Sequence, residues 1–586
     1  MIKILKRLKA AEWLQAMASL VFIVSQVWLD LKLPEYMSEI TMLTQTPGSE
    51  MSDIWLAGGK MLLCALGSLV AAVIVGFFAA RIAASFSQRL RSQLFAKVDS
   101  FSMEEINQFS TASLITRSTN DITQVQMLIT MGLQMLIKAP IMAVWALTKI
   151  TGKGREWSIA TGVAVVILIT MIALIMIFVM PKFKKMQTLT DNLNRVTREN
   201  LTGLRVVRAY NAEGYQEEKF EAANEELTAT QLYTNRGMAV MMPMMTALMS
   251  GMTLAIYWIG AYLINGAEAV DRLPLFSNMV VFSSYSVQVI MSFMMLVMIF
   301  VLWPRASVSA KRINEVLETK PTIVDGHRTE GKAGRKGEIE FQDVSFKYPG
   351  AADYVLENIS FSAKVGETVA FIGSTGSGKS TLINLIPRFY DTTEGNILIN
   401  GINVKEYEQE SLHNKIGYVP QKAVMFRGTI GSNVGYGDNG KVNSNLEDIK
   451  TAVRIAQGTD FVENMKGQYG AEIAQGGTNV SGGQKQRLAI ARAVNRKPEI
   501  YIFDDSFSAL DYKTDRILRS ALKKETAGVT SLIVAQRIGT IMDADQIIVL
   551  DEGRIVGKGT HKELLNTCDV YLEIAMSQLN EEELLA

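Results

Sequence analysis

Residues 368–381 read TVAFIGSTGSGKST, and this stretch decides the fold of the C-terminal half of the chain. The apolar run at 368–372 is typical of a buried strand, and it enters a glycine-rich turn that ends in Lys379 and Ser380. Helix-forming residues follow from Thr381. A strand, a glycine-rich turn and a helix in this order are the setting that a phosphate-binding P-loop requires.

The turn has the chemistry to bind the phosphates of a nucleotide together with Mg²⁺, and by itself it does not separate kinases, GTPases and transport ATPases. Glycines let backbone N–H groups close around phosphate oxygens, and the start of a helix adds a favourable dipole. The Lys379 side chain can reach the β and γ phosphates, and the Ser380 hydroxyl can ligate Mg²⁺. The predicted phosphate-binding residues are Gly373, Ser374, Thr375, Gly376, Ser377, Gly378, Lys379, Ser380 and Thr381.

Six apolar stretches before residue 305 are long enough to cross a membrane, since a span needs about 20 apolar residues. They lie at 14–33, 54–86, 127–150, 157–180, 237–264 and 274–303. After Arg305, short apolar strands, glycine turns and amphipathic helices alternate, as in an α/β domain. We predict a helical transmembrane domain at 1–317, a polar linker at 318–337 and a cytoplasmic α/β P-loop ATPase domain at 338–586.

Composition excludes several other classes of protein. Lys and Arg number 59 against 58 Asp and Glu, so no basic excess points to nucleic acid as a partner. Hydrophobic residues make up 48% of the chain, which excludes a disordered protein. The two cysteines and three histidines are too scattered for a disulfide framework or a zinc site. The partner that composition indicates is the lipid bilayer.

Basic residues next to the spans predict the orientation of the chain. They precede the first span and follow the fourth and the sixth, which places both termini in the cytoplasm. The basic loop between the third and fourth spans is an exception to this rule. The first apolar stretch is too long for a cleavable signal peptide and is expected to stay as a helix.

A second phosphate-binding element lies at 480–493, which reads VSGGQKQRLAIARA. A Ser-Gly-Gly turn that opens a helix presents N–H groups and a hydroxyl to an anion. We therefore expect this element to bind a phosphate that is not held by the chain's own P-loop. The run resembles the signature motif of ATP-binding cassette (ABC) proteins. It adds four residues to the candidate nucleotide ligands: Ser481, Gly482, Gly483 and Gln484.

Other elements follow in the order typical of the ABC family, and the resemblance covers essentially the whole chain as an exporter-type half-transporter. It implies that Tyr348 in FKYPG stacks on adenine and that Gln421 in VPQ senses Mg²⁺ and the membrane helices. It also implies that Asp504 holds Mg²⁺ through water and that Asp511 in SALD belongs to the site. A strand-edge role for Tyr348 and a solvated loop role for Gln421 remain alternatives. The implied magnesium set is Ser380, Gln421 and Asp504.

Two positions depart from the pattern of active ABC sites. Asp505 stands where a glutamate usually positions the attacking water, and Gln536 stands where a histidine usually contacts the γ-phosphate. A carboxylate that is one methylene shorter lies roughly 1 Å farther from the water, an error that can cost on the order of 100-fold in rate. Gln536 cannot become a cation. We predict a site that binds ATP but hydrolyses it poorly, with harmless variation as the alternative.

ABC domains pair head to tail, so each composite site takes its P-loop from one chain and its signature from the other. Here the signature is intact while the P-loop side is impaired, which favours a heterodimer with a competent half-transporter. The pattern is similar to that of heterodimeric bacterial multidrug exporters in the plasma membrane. The resemblance also implies cytoplasmic loops that dock on ATPase domains near 108–116 and 208–215.

The expected cargo is an amphipathic or apolar compound. Spans five and six are rich in methionine, whose flexible side chain suits dissimilar ligands, although ordinary packing accounts for these residues equally well. Lys138 in the third span is either a pathway residue or paired with a neighbouring helix. Alternative functions are an ATP-binding regulatory or gating ABC membrane protein and a lipid or peptide exporter.

Overall fold

A computed structural model describes residues 1–46, 48–151, 154–437, 445–525 and 527–579. The chain divides into two compact units. The first comprises Met1–Asp99 and Ala112–Thr319, and the second comprises Ser100–Thr111 and Lys320–Ala586. The short segment Ser100–Thr111 therefore belongs with the C-terminal unit, although the sequence prediction placed it inside the transmembrane domain.

The first unit is helical. Among the described residues, six helices are long and apolar enough to span a membrane, which confirms the predicted number of spans. Several of them extend well beyond the apolar stretches, since their charged ends continue as helix. The helices are α1 (Ile2–Leu5), α2 (Ala10–Gln45), α3 (Met51–Asp99), α5 (Thr111–Thr116), α6 (Ile122–Thr151), α7 (Arg155–Thr202), α8 (Leu204–Ala209), α9 (Glu213–Gly266) and α10 (Arg272–Glu318), with a π-helical turn at Arg117–Asp121 and α4 (Met103–Phe109) in the second unit.

The membrane helices bury polar as well as apolar side chains. Lys138 Nζ on α6 lies 3.1 Å from Asp30 Oδ2 on α2, so this lysine is paired with a neighbouring helix. Met245 and Met252 lie in the buried core while Met242 is 60% exposed. The methionines of the fifth span, on α9, therefore include core residues as well as surface residues.

The second unit is an α/β fold, as predicted. Its strands are β1 (Ile339–Phe346), β2 (Leu356–Ala363), β3 (Thr368–Gly373), β4 (Glu394–Ile399), β5 (Ile402–Asn403), β6 (Ile416–Val419), β7 (Gly428–Thr429), β8 (Glu472–Ile473), β9 (Ile500–Asp504), β10 (Thr530–Val534), β11 (Gln546–Asp551) and β12 (Arg554–Gly559). A six-stranded sheet has the order β12-β11-β3-β10-β9-β6, with only the β11–β12 pair antiparallel, and a four-stranded antiparallel sheet has the order β2-β1-β4-β5.

Helices cover these sheets and enclose apolar cores on both faces of the larger one. They are α11 (Lys379–Leu385), α12 (Gln409–Asn414), α13 (Ile430–Val434), α14 (Leu446–Ile455), α15 (Thr459–Asn464), α16 (Gly482–Asn495), α17 (Tyr512–Glu525), α18 (Ile538–Ile541), α19 (His561–Thr567) and α20 (Asp569–Met576). Strands β3, β6, β9 and β10 are parallel and buried, so their carboxyl ends meet at one edge of the sheet.

Residues 320–337, which form most of the predicted linker, make hydrogen bonds within the second unit. The Gly326 amide donates to the Tyr407 carbonyl at 3.0 Å, and the Lys332 amide donates to the Asn400 carbonyl at 2.9 Å. The Glu105 carboxylate on α4 accepts a 2.9 Å bond from the Thr322 amide. Residues 100–111 and 320–337 are thus both held in the second unit by specific hydrogen bonds. Of the two loop regions expected to dock on ATPase domains, 208–215 lies in the first unit.

Candidate nucleotide site

The candidate site forms where four parallel strands end. The P-loop follows β3, Gln421 follows β6, Asp505 follows β9 and Gln536 follows β10. Because β10 pairs with both β3 and β9, these ends are brought to one edge even though they are distant in sequence.

The P-loop closes around its own lysine. Lys379 Nζ donates to the Gly373 carbonyl at 2.8 Å and to the Ser374 carbonyl at 2.7 Å, and the Ser377 hydroxyl lies 3.2 Å away. Burial lowers the pKa of Lys379, while the charges of Asp505 and Asp504 act in the opposite direction. The ammonium group is therefore held over the turn where the phosphates of a nucleotide would bind.

Gly373 is a position that only glycine can occupy without rearrangement. A Cβ atom there would lie 1.9 Å from the carbonyl oxygen of Leu550 on the adjacent strand β11. The close approach of two backbones lets the P-loop start directly at the end of β3.

The predicted magnesium residues lie together in part. Ser380 Oγ donates to Asp504 Oδ1 at 3.0 Å, and Asp504 is buried. Burial raises the pKa of Asp504, and the hydrogen bond from Ser380 opposes that shift. A hydroxyl and a single carboxylate are oxygen donors of the kind that Mg²⁺ uses beside nucleotide phosphates, so these two residues fit the ion. The Gln421 side chain instead contacts Asp505.

Asp505 is held by two amide side chains. Its Oδ2 atom accepts a 2.8 Å hydrogen bond from Gln536 Nε2 and a 3.3 Å bond from Gln421 Nε2. The carboxylate is buried, which raises the pKa of Asp505, and hydrogen bonds oppose that shift. Its backbone has φ of 45°, in the left-handed region that residues other than glycine seldom adopt. Asp505 and Gln536, the two positions that differ from the expected ABC pattern, are thus in direct contact.

Tyr348 lies beside the P-loop helix. Its hydroxyl is 3.0 Å from the Thr381 hydroxyl, and its half-buried ring packs edge-on against Tyr390 with centroids 5.3 Å apart. Tyr390 in turn accepts a 3.0 Å hydrogen bond from Asn107 on α4. Tyr348, which is predicted to contact adenine, is therefore connected to the segment 100–111 through the side chain of Tyr390.

The signature turn is built locally. Ser481 caps α16: its hydroxyl accepts from the Gln484 amide at 3.3 Å, and the Gln484 side chain accepts from the Ser481 amide at 2.9 Å. Asp511 Oδ1 likewise accepts from the Thr514 amide at 2.9 Å, and hydrogen bonds from Thr514 lower the pKa of Asp511. A Cβ atom built at Gly483 would lie 3.4 Å from the Ala509 carbonyl oxygen, so the signature turn lies next to the turn at 508–511.

Within the described part of the chain, no side-chain hydrogen bond joins the signature turn or Asp511 to the P-loop at 373–381. The predicted nucleotide ligands thus fall into two groups. One gathers at the strand ends around Lys379, and the other lies around Ser481 and the turn at 508–511.

The sequence identifies Gln421, Gln536 and Thr381 as candidate site residues, but it does not display the side chains that they contact. The signal for the contact of both glutamines with Asp505 is their position, since each closely follows an apolar run that ends at a sheet edge.

Comparisons with known proteins agree with this architecture. A family model described as ABC transporter matches residues 356–508, and one described as ABC transporter transmembrane region matches residues 13–293. An uncharacterised ABC transporter ATP-binding protein of Mycobacterium bovis is 41% identical over 467 residues, which cover 80% of this chain and 79% of that protein. The chain belongs to the ABC transporter family.

Other ABC proteins match over similar lengths. An uncharacterised ABC transporter ATP-binding protein of Bacillus subtilis is 36% identical over 91% of both chains. An ATP-dependent lipid A-core flippase of Pseudomonas fluorescens is 32% identical over 79% of this chain and 76% of its own. The solved structure of a bacterial Atm1-family ABC exporter with ATP bound has a TM-score of 0.79 at 24% identity, covering 97% of this chain and 99% of the other, which shows the fold.

These findings establish the general character of this ABC protein. It is a multi-pass membrane protein with the layout of an exporter half-transporter, and its ATPase domain couples ATP hydrolysis to transport.

Proposed function

We propose that this chain is the subunit of a heterodimeric ABC exporter that binds ATP with Mg²⁺ but hydrolyses it slowly at its own P-loop. The observation that carries the proposal is the pair of amide hydrogen bonds that Asp505 Oδ2 accepts from Gln536 and Gln421. The phosphate-binding group Lys379 and the pair of Ser380 and Asp504 are in place.

Slow hydrolysis follows from the chemistry of these contacts. A general base or water-positioning group must direct a free carboxylate oxygen toward the attacking water. The shorter Asp505 side chain is buried and shares one oxygen between two amides. A glutamine at position 536 donates a neutral hydrogen bond and adds no positive charge for the developing phosphoryl charge.

The magnesium ion is expected beside Ser380 and Asp504. When bound, it supplies positive charge that neutralises phosphate oxygens. Ser380 provides the hydroxyl and Asp504 the carboxylate, which burial keeps in a water-poor setting that strengthens electrostatic attraction. Gln421 contacts Asp505, so its proposed contact with the ion requires the amide to exchange partners.

The intact signature turn supports a dissimilar partner. Ser481 and Gln484 form a complete capping box, so the α16 turn is well ordered for contact with a phosphate carried by another chain. A homodimer would contain two impaired sites. A partner with glutamate and histidine at the positions equivalent to Asp505 and Gln536 would give the complex one competent site, completed by this chain's Ser481.

The proposed cargo is an amphipathic compound, with multidrug export as the broad class. Both exposed and buried methionines line the fifth span, which gives it adaptable apolar surface. We place both termini in the cytoplasm of a bacterial cell, because basic residues flank the spans on that side.

A lipid cargo is the second candidate. It is favoured by the 32% identity to a protein named as a lipid A-core flippase. Transport of a fluorescent phospholipid and of a cationic dye by the same reconstituted complex would separate the two cargo classes.

The test of the central proposal uses the full chain, purified alone and then together with its partner. Alone, it should bind a fluorescent ATP analogue with Mg²⁺ and turn over ATP very slowly. Lys379→Ala should abolish binding, which provides the control for a genuine site. Robust hydrolysis by the chain alone that Asp505→Asn removes would overturn the proposal.

A further inference from the structure

A cavity of about 470 Å³ lies between the first turns of α2 and the second half of α3. Most of its lining residues are polar or charged: they include Lys9 just before α2, Glu12 and Gln15 on α2, and Arg81, Gln88 and Arg89 on α3. Three of these six residues are basic and one is acidic. The cavity is therefore a positively charged pocket at one end of two neighbouring membrane helices.

The single carboxylate of the cavity is fully engaged. Glu12 is 5% exposed, and its two oxygens accept hydrogen bonds from Arg89 at 3.0 and 2.7 Å. The Ser85 hydroxyl and the Lys9 amide donate to the same carboxylate at 2.6 and 2.8 Å. Glu12 thus neutralises Arg89 and leaves the remaining basic groups uncompensated.

Those remaining groups are Arg81 and Lys9. Across the described residues, neither side chain forms an ion pair with a carboxylate. A guanidinium and an ammonium that share one pocket with a neutralised ion pair attract an anion.

The register of the two helices places apolar surface on the membrane side of this pocket. Ser85 contacts Glu12, and Ser68 contacts Asp30, so α2 and α3 run antiparallel and decreasing numbers on α3 lead into the membrane. The α3 face that carries Arg81 continues at helical spacing through Phe77, Val73 and Val70. These three side chains are 58%, 62% and 57% exposed, respectively.

An exposed tryptophan marks the level of the pocket. Trp13 is 50% exposed and Leu14 is 73% exposed, one turn beyond Lys9 on α2. Tryptophan is enriched at the boundary between headgroups and acyl chains. The pocket consequently lies at headgroup depth, with a continuous apolar stripe below it.

We propose that this cavity binds the phosphate group of an anionic phospholipid, with an acyl chain along the stripe of Phe77, Val73 and Val70. Arg81 and Lys9 contact the phosphate, while the Glu12–Arg89 pair fixes the shape of the pocket. Basic pockets between membrane helices are suited to anionic headgroups. With the proposed orientation, the lipid belongs to the cytoplasmic leaflet; the site itself does not depend on the ATP-site proposal.

The test measures lipid binding to the delipidated full chain, in complex with its partner if the two purify together. Native mass spectrometry would compare phosphatidylglycerol with phosphatidylcholine of the same acyl chains. We expect preferential binding of phosphatidylglycerol, weakened about fivefold by Arg81→Gln and similarly by Lys9→Gln. Arg91→Gln removes the same charge from an exposed position of α3 that does not line the cavity, and it should leave binding unchanged.

Three controls distinguish a bound phospholipid from misfolding, non-specific charge attraction and a free anion. Thermal unfolding of Arg81→Gln in phosphatidylcholine should match the unsubstituted chain, which shows that the variant is folded. Equal affinity for the two lipids, or an equal loss in Arg81→Gln and Arg91→Gln, would overturn the proposal. Displacement of phosphatidylglycerol by millimolar inorganic phosphate would assign the pocket to a free anion and refute the lipid site.

Discussion

Gln536 Nε2 lies 2.8 Å from Asp505 Oδ2, so the two residues that differ from the pattern expected of an ABC site contact each other. The amide orients the carboxylate and at the same time occupies one of its oxygens. A change at either residue therefore alters the setting of the other, and the two positions are expected to act as a unit.

Restoring both residues should raise hydrolysis at this P-loop. Asp505→Glu with Gln536→His lengthens the carboxylate and supplies a group that can carry positive charge. With the partner's own site silenced by replacing its catalytic glutamate with glutamine, we expect a gain of about tenfold, or roughly 1.4 kcal/mol of barrier. Single-turnover hydrolysis measures it.

The single substitutions are the controls for that experiment. Asp505→Glu alone retains the Gln536 amide, and Gln536→His alone retains the short carboxylate, so each should do little. If the double variant binds ATP normally and hydrolyses no faster, the block lies elsewhere, such as in the partner's signature.

Ser481→Arg should remove most of the ATPase activity of the assembled heterodimer. In the proposed heterodimer, Ser481 belongs to the chain with the slow site but completes the partner's competent site. An arginine there would fill the position of the γ-phosphate. Steady-state ATPase activity measures the loss, which we expect to be at least about tenfold.

The control for Ser481→Arg is Ser577→Arg, which makes the same replacement at an exposed site after α20. Because Ser481 also caps α16, its loss costs about 1 kcal/mol of stability, and thermal unfolding should confirm that the variant is folded. Near-normal ATPase activity in Ser481→Arg would disprove the head-to-tail assignment.

Two glycine substitutions in the P-loop distinguish a steric clash with a neighbouring strand from strain in the backbone conformation. Gly373→Ala places a methyl group 1.9 Å from the Leu550 carbonyl, so β3 and β11 must shift. Gly376 has φ of 87° with open space around its Cβ position, so Gly376→Ala bears only conformational strain of about 1 kcal/mol. Binding of a fluorescent ATP analogue should fall far more in Gly373→Ala. Equal losses in the two variants would show that the contact with Leu550 is not what requires glycine.

Local patterns in the sequence were enough to predict the main architecture. Six apolar stretches long enough to cross a membrane predicted the six spans. The run from Thr368 through Ser380 predicted a strand, a P-loop and a helix. Both signals depend on residues that are adjacent in the chain, because hydrophobic period and turn chemistry act over short distances.

The contacts that define the site depend on strand order, which the sequence does not display. Gln421 and Gln536 meet at Asp505 because β9 lies between β6 and β10, an arrangement fixed by packing of the whole sheet. Segment 100–111 joins the second unit through contacts between residues distant in sequence, such as the one from Glu105 to Thr322, which is 217 residues away. Neither Glu105 nor Thr322 lies in a sequence motif that would predict this contact.

Glu105 should anchor the segment 100–111 in a pH-dependent manner. The carboxylate is 2% exposed and accepts bonds from the Ser102 amide at 2.8 Å, the Ser102 hydroxyl at 2.6 Å and the Thr322 amide at 2.9 Å. Burial opposes ionisation, but these hydrogen bonds outweigh it and lower the pKa of Glu105 below its ordinary value of 4.5. The ionised form is therefore the one that the fold stabilises.

The sign of the pH effect follows from that lowered pKa. Stabilisation by Glu105 is complete above pH 4.5, the ordinary value of the carboxyl group, and is lost as the pH falls through the lower pKa of the folded protein. Glu105→Gln should cost about 1–3 kcal/mol at pH 7 and flatten the stability profile below pH 4.5. Hydrogen exchange of the amides in α4 measures both effects, with Glu104→Gln in the same turn as the matched control. Unchanged exchange in Glu105→Gln, or an equal effect of Glu104→Gln, would show that α4 is held by other contacts.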